Sequence, residues 1–149
     1  MHNNSLANSS SQDKVPVLFS HGRDEFNHRI GVFKDDDKPL KKLARQGQSM
    51  SSSTFVADVK SSQVTVIEDV EGNDDFVFTD GCGYISEELL KSAAEKFDLE
   101  QVSAIQMRYS GFKGVLVLHP GLKGKSIVFR KSQEKFVGNM TELSVIRCA

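Results

Sequence analysis

The chain has 149 residues, 38% of them hydrophobic and 8% aromatic, which is enough apolar material for one domain-sized core. Its formal charge of -1 excludes a globally basic or acidic protein, but between Gln106 and Lys135 seven cations stand against the single acid Glu134. That stretch carries +6 and the remainder -7, so a basic C-terminal part is masked by an acidic N-terminal one, an asymmetry that points to a polyanionic partner. The two cysteines, Cys82 and Cys148, are too few for a disulfide framework and show no C-x-x-C spacing. No apolar run nears the roughly 18 residues of a membrane span, and the polar start lacks a signal-peptide core. An intracellular, reducing location is therefore expected, cytoplasm or nucleus left open, and the N-x-S/T sequons at Asn3, Asn8 and Asn139 carry no weight.

In chain order, residues 1–14 are rich in Ser and Asn and should be disordered, and residues 15–149 form the domain, with its best-defined part over 43–149. A short strand is predicted at 15–19. Leu40, Leu43 and Ala44 recur at helical spacing before Gly47, which predicts a helix over 38–47. From 54 onward β-rich runs dominate, with strands predicted at 54–59, 63–70 and 76–79. One helix follows, with Ser86 as N-cap, Glu87 and Glu88 in its first turn, and an apolar stripe of Leu89, Leu90, Ala93, Ala94 and Phe97. Strands resume at 103–109, 114–118, 126–130 and 143–147, divided by Ser110-Gly111 and Pro120-Gly121. Six or seven short strands around an inserted helix predict a mainly β domain, a compact barrel or sandwich.

Several motifs reduce to ordinary structure. Gly124-Lys125-Ser126 has the tail of a phosphate-binding loop, but His119 stands where the first glycine belongs and a strand follows. Asp69 to Asp75 alternates oxygen side chains like a calcium loop, with Gly72 misplaced, and reads as a solvated acidic connection. No histidine has metal-ligand spacing with a cysteine, and no metal site is expected. Two clusters stand out. In Asp80-Gly81-Cys82-Gly83 the glycines allow a sharp turn between the predicted strand at 76–79 and the helix. In Arg108-Tyr-Ser-Gly111-Phe-Lys113-Gly114 two cations flank a turn, and Arg130, Lys131 and Lys135 follow.

Four blocks, Leu43-Ala-Arg-Gln-Gly-Gln-Ser-Met-Ser-Ser-Ser53, Phe76-Val-Phe-Thr-Asp-Gly-Cys-Gly-Tyr-Ile-Ser86, Ala104-Ile-Gln-Met-Arg-Tyr-Ser-Gly-Phe-Lys-Gly-Val115 and Ser126-Ile-Val-Phe-Arg-Lys-Ser132 with Lys135-Phe136, resemble in order the blocks of cellular RNA-dependent RNA polymerases. These enzymes make double-stranded RNA in gene silencing. The stretch from Phe33 to Leu43 is short against the family pattern. The resemblance implies a double-psi β-barrel, the first of two in the polymerase core, in which Arg108, Lys113 and Lys135 point toward nucleotide and RNA phosphates. Asp80, Gly81, Gly83, Gly111 and Gly114 are then expected as structural turns near that site, and Arg130 and Lys131 as candidate RNA contacts. It also implies magnesium in the complete enzyme, held by an aspartate-rich D-x-D-G-D run that this sequence does not contain. RNA template, nucleoside triphosphates and silencing machinery are the implied partners, with no membrane. Two functional readings stay open: a piece of an RNA-directed RNA polymerase that is inactive alone, or a shortened RNA-binding or regulatory protein that retains the barrel. A β-rich domain with no nucleic-acid role is the third.

Overall fold

A computed structural model describes residues 53–149 except 75; the strand at 15–19, the helix at 38–47, the polar start and most of the first family block lie outside the described residues. The sheet, its connections and the helix form one compact unit, Ser53–Lys135 with Met140–Ala149. Seven strands appear: β1 Thr54–Asp58, β2 Val64–Ile67, β3 Cys82–Ile85, β4 Ala104–Tyr109, β5 Phe112–Leu118, β6 Ile127–Arg130 and β7 Glu142–Cys148. They hydrogen-bond in the order β1-β7-β4-β5-β3-β6-β2. Two neighbouring pairs, β2 with β6 and β3 with β5, are parallel, and the other four are antiparallel. Parallel neighbours cannot be joined by a tight turn, so the chain must cross over between them. The result is mainly β with one helix, consistent with a double-psi barrel.

Alternation along β4 shows how the core is assembled. Ile105, Met107 and Tyr109 are buried, whereas Ala104, Gln106 and Arg108 face the other way. The inner residues join Leu116, Ile127, Phe129, Leu143 and Val145 in the core. Helix α1, Glu87–Phe97, closes one side against β1 and β7, burying Leu89, Leu90, Ala93 and Ala94 as its stripe requires. Its N-terminus differs from the expectation in one respect. Ser86 has the extended backbone of an N-cap but makes no side-chain cap bond; its Oγ instead accepts the Ser126 amide at 3.2 Å. The helix start is thus tied to the segment entering β6.

The predicted strand at 76–79 does not form. Instead Gly72 N donates to the Phe76 carbonyl (2.7 Å) and Phe78 N to that of Val70 (2.9 Å), with an isolated bridge between Glu71 and Val77. Phe76 and Phe78 pack edge to face, 5.1 Å apart and both exposed, so this segment has no buried face to make it a sheet strand. Consequently the turn precedes Cys82, and Cys82 and Gly83, expected in the turn, belong to β3 itself. Gly81 is the residue with the left-handed backbone, at φ 69°.

Candidate functional site

The β4–β5 hairpin turns at Ser110 and Gly111, with φ of 44° and 90°. A two-residue turn with both φ positive matches the twist of antiparallel strands, and Gly111 takes the second of these positions without a Cβ penalty. The turn fixes a register in which Arg108 lies directly opposite Lys113. Directly opposed residues share a face, so both side chains leave the sheet together on the outer surface. Beneath them Tyr109 and Phe112 stack on Phe129, with centroids 5.5 and 4.3 Å away, and the Tyr109 hydroxyl donates to the Val59 carbonyl at 2.9 Å. That packing stiffens the hairpin from below.

Lys135 reaches the same place from another direction. Its backbone amide donates to the Gly111 carbonyl at 3.0 Å, and its Nζ donates to the Ser132 carbonyl. The electrostatics register the convergence. Burial pushes the Lys113 ammonium below the ordinary lysine value, and the charges of Arg108 and Lys135 push it further. Burial likewise lowers the Arg108 guanidinium, whose Nε is buried without a hydrogen-bond partner among the described residues. Like charges placed directly across strands are destabilising, so this hairpin carries an electrostatic cost that its packing must offset. A cluster of three cations with unspent donors is chemically suited to phosphate: the guanidinium can grip two oxygens, and each ammonium acts as a point charge.

Gln133, which the sequence reading did not single out, organises the floor of the site. It is fully buried; its Oε1 accepts the Arg130 amide (2.9 Å) and its Nε2 donates to the carbonyls of Gly81 (3.3 Å) and Val115 (3.2 Å). The carboxamide has room because Gly83 and Gly114 stand beside it. A Cβ on Gly83 would meet Gln133 Oε1 at 2.6 Å and the Val128 carbonyl, and one on Gly114 would meet Gln133 Nε2 at 2.7 Å and the Gly81 carbonyl. Of the turn glycines expected near the site, Gly83 and Gly114 are therefore spacers that let three backbones and one amide meet, while Gly81 and Gly111 take the left-handed turn positions. Asp80 is exposed beside Gly81.

Arg130 and Lys131, the expected further RNA contacts, differ in placement: the first is drawn into the fold and the second stays at the surface. Arg130 is buried, with Nη1 on the Glu68 carbonyl (2.6 Å), Nη2 on the Tyr84 hydroxyl (3.3 Å) and its charge 5.6 Å from the Tyr84 ring centroid. It ties β6 to β2 and β3. Lys131 is exposed and paired with Glu68 at 2.5 Å. Asp69, read as part of a solvated acidic connection, instead accepts the Ser132 amide (2.8 Å) and the Ser132 and Thr79 hydroxyls (2.7 and 3.0 Å). Burial would raise its carboxyl, but the bonds from Ser132 and Thr79 and the Arg130 charge outweigh that and hold it below the ordinary carboxylate value.

A model of the family described as RNA dependent RNA polymerase matches residues 6–149. The chain belongs to the RNA-dependent RNA polymerase family. It is 41% identical over 122 residues to RNA-dependent RNA polymerase 1 of Arabidopsis thaliana, covering 78% of this chain and 11% of that protein. RNA-dependent RNA polymerase 2 of the same organism is 32% identical over 151 residues, covering 99% of this chain and 13% of the relative. In three dimensions the fold resembles the RNA dependent RNA polymerase QDE-1 from Thielavia terrestris, with a TM-score of 0.65 at 19% identity over 73% of this chain and 13% of that one. The chain thus spans roughly a tenth of the polymerases it matches. Family membership raises the question of magnesium. Among the described residues no three His, Cys, Asp or Glu side chains converge, and the hairpin site is cationic, so these residues do not fit a divalent cation. No helix among them is long and apolar enough to cross a membrane.

Proposed function

We propose that this chain supplies the cationic half of an RNA-directed RNA polymerase site, in which Arg108, Lys113 and Lys135 hold phosphates of the incoming nucleotide or of RNA. The observation that carries this reading is the direct opposition of Arg108 and Lys113 with Lys135 beside them, a destabilising arrangement in the free domain that a polyanion would relieve. Nucleotidyl transfer spreads negative charge over phosphorus and the departing pyrophosphate, and fixed cations stabilise that charge without reorganising. On this reading the three residues orient the phosphates and neutralise them, while the metal ions of the reaction are held by other side chains. Arg130 stays out of the contact set because it is buried and both its Nη groups are engaged inside the fold, leaving only a buried Nε without a partner among the described residues. Template RNA and nucleoside triphosphates are the substrates, and double-stranded RNA for gene silencing is the product.

The test is binding of inorganic pyrophosphate and of short single-stranded RNA to the purified chain at two salt concentrations. Lys113→Ala and Arg108→Ala should weaken both ligands, whereas Lys123→Ala, on the exposed turn after β5, should leave pyrophosphate unchanged. Equal effects of Lys113→Ala and Lys123→Ala would refute the site. The chain alone should incorporate no nucleotide with template and magnesium, since its sequence has no D-x-D-G-D run to hold the metal ions.

A further inference from the structure

The geometry points to Asp69 as a positioning residue that acts through Ser132 to hold Lys135 against the Arg108–Lys113 pair. The parallel register of β2 and β6 sets Ile67 beside Arg130, so two residues further on Asp69 meets Ser132. One carboxylate oxygen takes the Ser132 hydroxyl and the Thr79 hydroxyl, and the other takes the Ser132 amide, so the 3-10 turn Lys131–Gln133 is fixed at its middle residue. The Ser132 hydroxyl oxygen in turn accepts the Gly81 amide at 3.0 Å, which joins the turn to the start of β3. The Ser132 carbonyl, on the other side of this anchored residue, accepts the Lys135 Nζ. Asp69 therefore aims an ammonium it does not touch. Lys113 responds to that placement, since Lys135 is one of the two charges that depress it, the other being Arg108. Without the anchor, Lys135 is a four-carbon stem free to swing into solvent.

The assignment of a role to Lys135 in binding rests on the function proposed above, but its placement by Asp69 can be read without any ligand. In the whole chain, the Lys113 ammonium is followed by NMR as pH rises, in the unaltered protein, in Asp69→Asn and in Lys135→Met. Release of Lys135 takes a cation away from Lys113, so Asp69→Asn should raise the Lys113 midpoint toward the ordinary lysine value. Simple loss of a nearby negative charge would lower it. In a Lys135→Met background the same Asp69→Asn change should leave Lys113 unmoved. A midpoint that falls or stays put in Asp69→Asn overturns the assignment, as does an upward shift that persists without Lys135. If Asp69→Asn does not fold, Ser132→Ala carries the same comparison, because it removes the hydroxyl bonds and keeps the amide one. A second arm measures pyrophosphate affinity, where Asp69→Asn should cost about fivefold in the unaltered chain and under about twofold with Lys135→Met, the non-additivity of residues that act as one unit. Loss of the Lys113 shift with pyrophosphate affinity unaltered by Lys135→Met would sink the proposed phosphate role and leave the positioning intact; additive losses with an unmoved Lys113 would sink the positioning alone.

Discussion

Two lysine-bearing turns flank β5, and they differ in everything except charge. At its start, Lys113 is half-buried, opposite Arg108, near Lys135, on a hairpin underpinned by stacked aromatics. At its end, Lys123 and Lys125 are exposed on a turn whose Gly124 has open space around it and whose Ser126 hydroxyl closes back on the Lys123 carbonyl. A charge on the second turn is solvated and costs the fold nothing. On the first it is partly desolvated and repelled by its neighbours, so its presence there is explained by a ligand more readily than by stability.

The sharpest way to break this contrast is kinetic. In a family polymerase of full length carrying this segment, Lys113→Ala should lower turnover about 10²–10³-fold, the usual loss when one preorganised charge-stabilising donor is removed, with little change in thermal stability. Lys123→Ala should stay within a few-fold, and comparable losses from both would erase the distinction. Backbone space offers a stability version of the same test. Gly114→Ala drives a Cβ into the Gly81 carbonyl and Gln133 and should cost about 3 kcal/mol, while Gly124→Ala meets only its left-handed φ of 60° and should cost about 1 kcal/mol. Chemical denaturation of both variants measures the difference directly.

The packing under the hairpin can be probed with Tyr109→Phe, which leaves the Val59 carbonyl without its donor and should cost about 1–2 kcal/mol. No turn variant among the exposed lysines should approach that. The smallest effect is on pH. Because the Lys113 pKa is depressed in the fold, the unfolded chain binds its proton more tightly, so this group's destabilisation is present at neutral pH and fades as pH rises through the lowered pKa toward 10.5. Phosphate binding shows the opposite trend, since it needs the charged form. Pyrophosphate affinity should therefore decline by less than about tenfold as pH climbs through that lowered value, at a lower pH than for an unperturbed lysine, with the decline absent in Lys113→Ala. Calorimetry in buffers of different ionisation enthalpy would detect the accompanying proton uptake.

The sequence by itself determined most of the local structure. Helix α1 follows from its stripe and its acidic first turn, the β4–β5 hairpin from Ser110-Gly111 between alternating residues, and the family from four ordered blocks; each signal spans only a few neighbouring residues. The convergence of Arg108 and Lys113 was legible for the same reason, since a two-residue turn dictates which residues face each other. Tertiary structure alone decided the rest. Whether the segment at 76–79 formed a strand depended on a partner it lacked, and whether Arg130 faced RNA or the interior depended on Glu68 and Tyr84, 62 and 46 residues away in sequence. Asp69 gave no local sign of its role and Gln133 only its bond to the nearby Arg130 amide, because Ser132 and Gly81 lie 63 and 52 residues distant from them and meet them only when the parallel crossovers close. Buried polar groups are satisfied by whatever the fold brings near them, and that pairing is written in the topology of the chain and not in its neighbours.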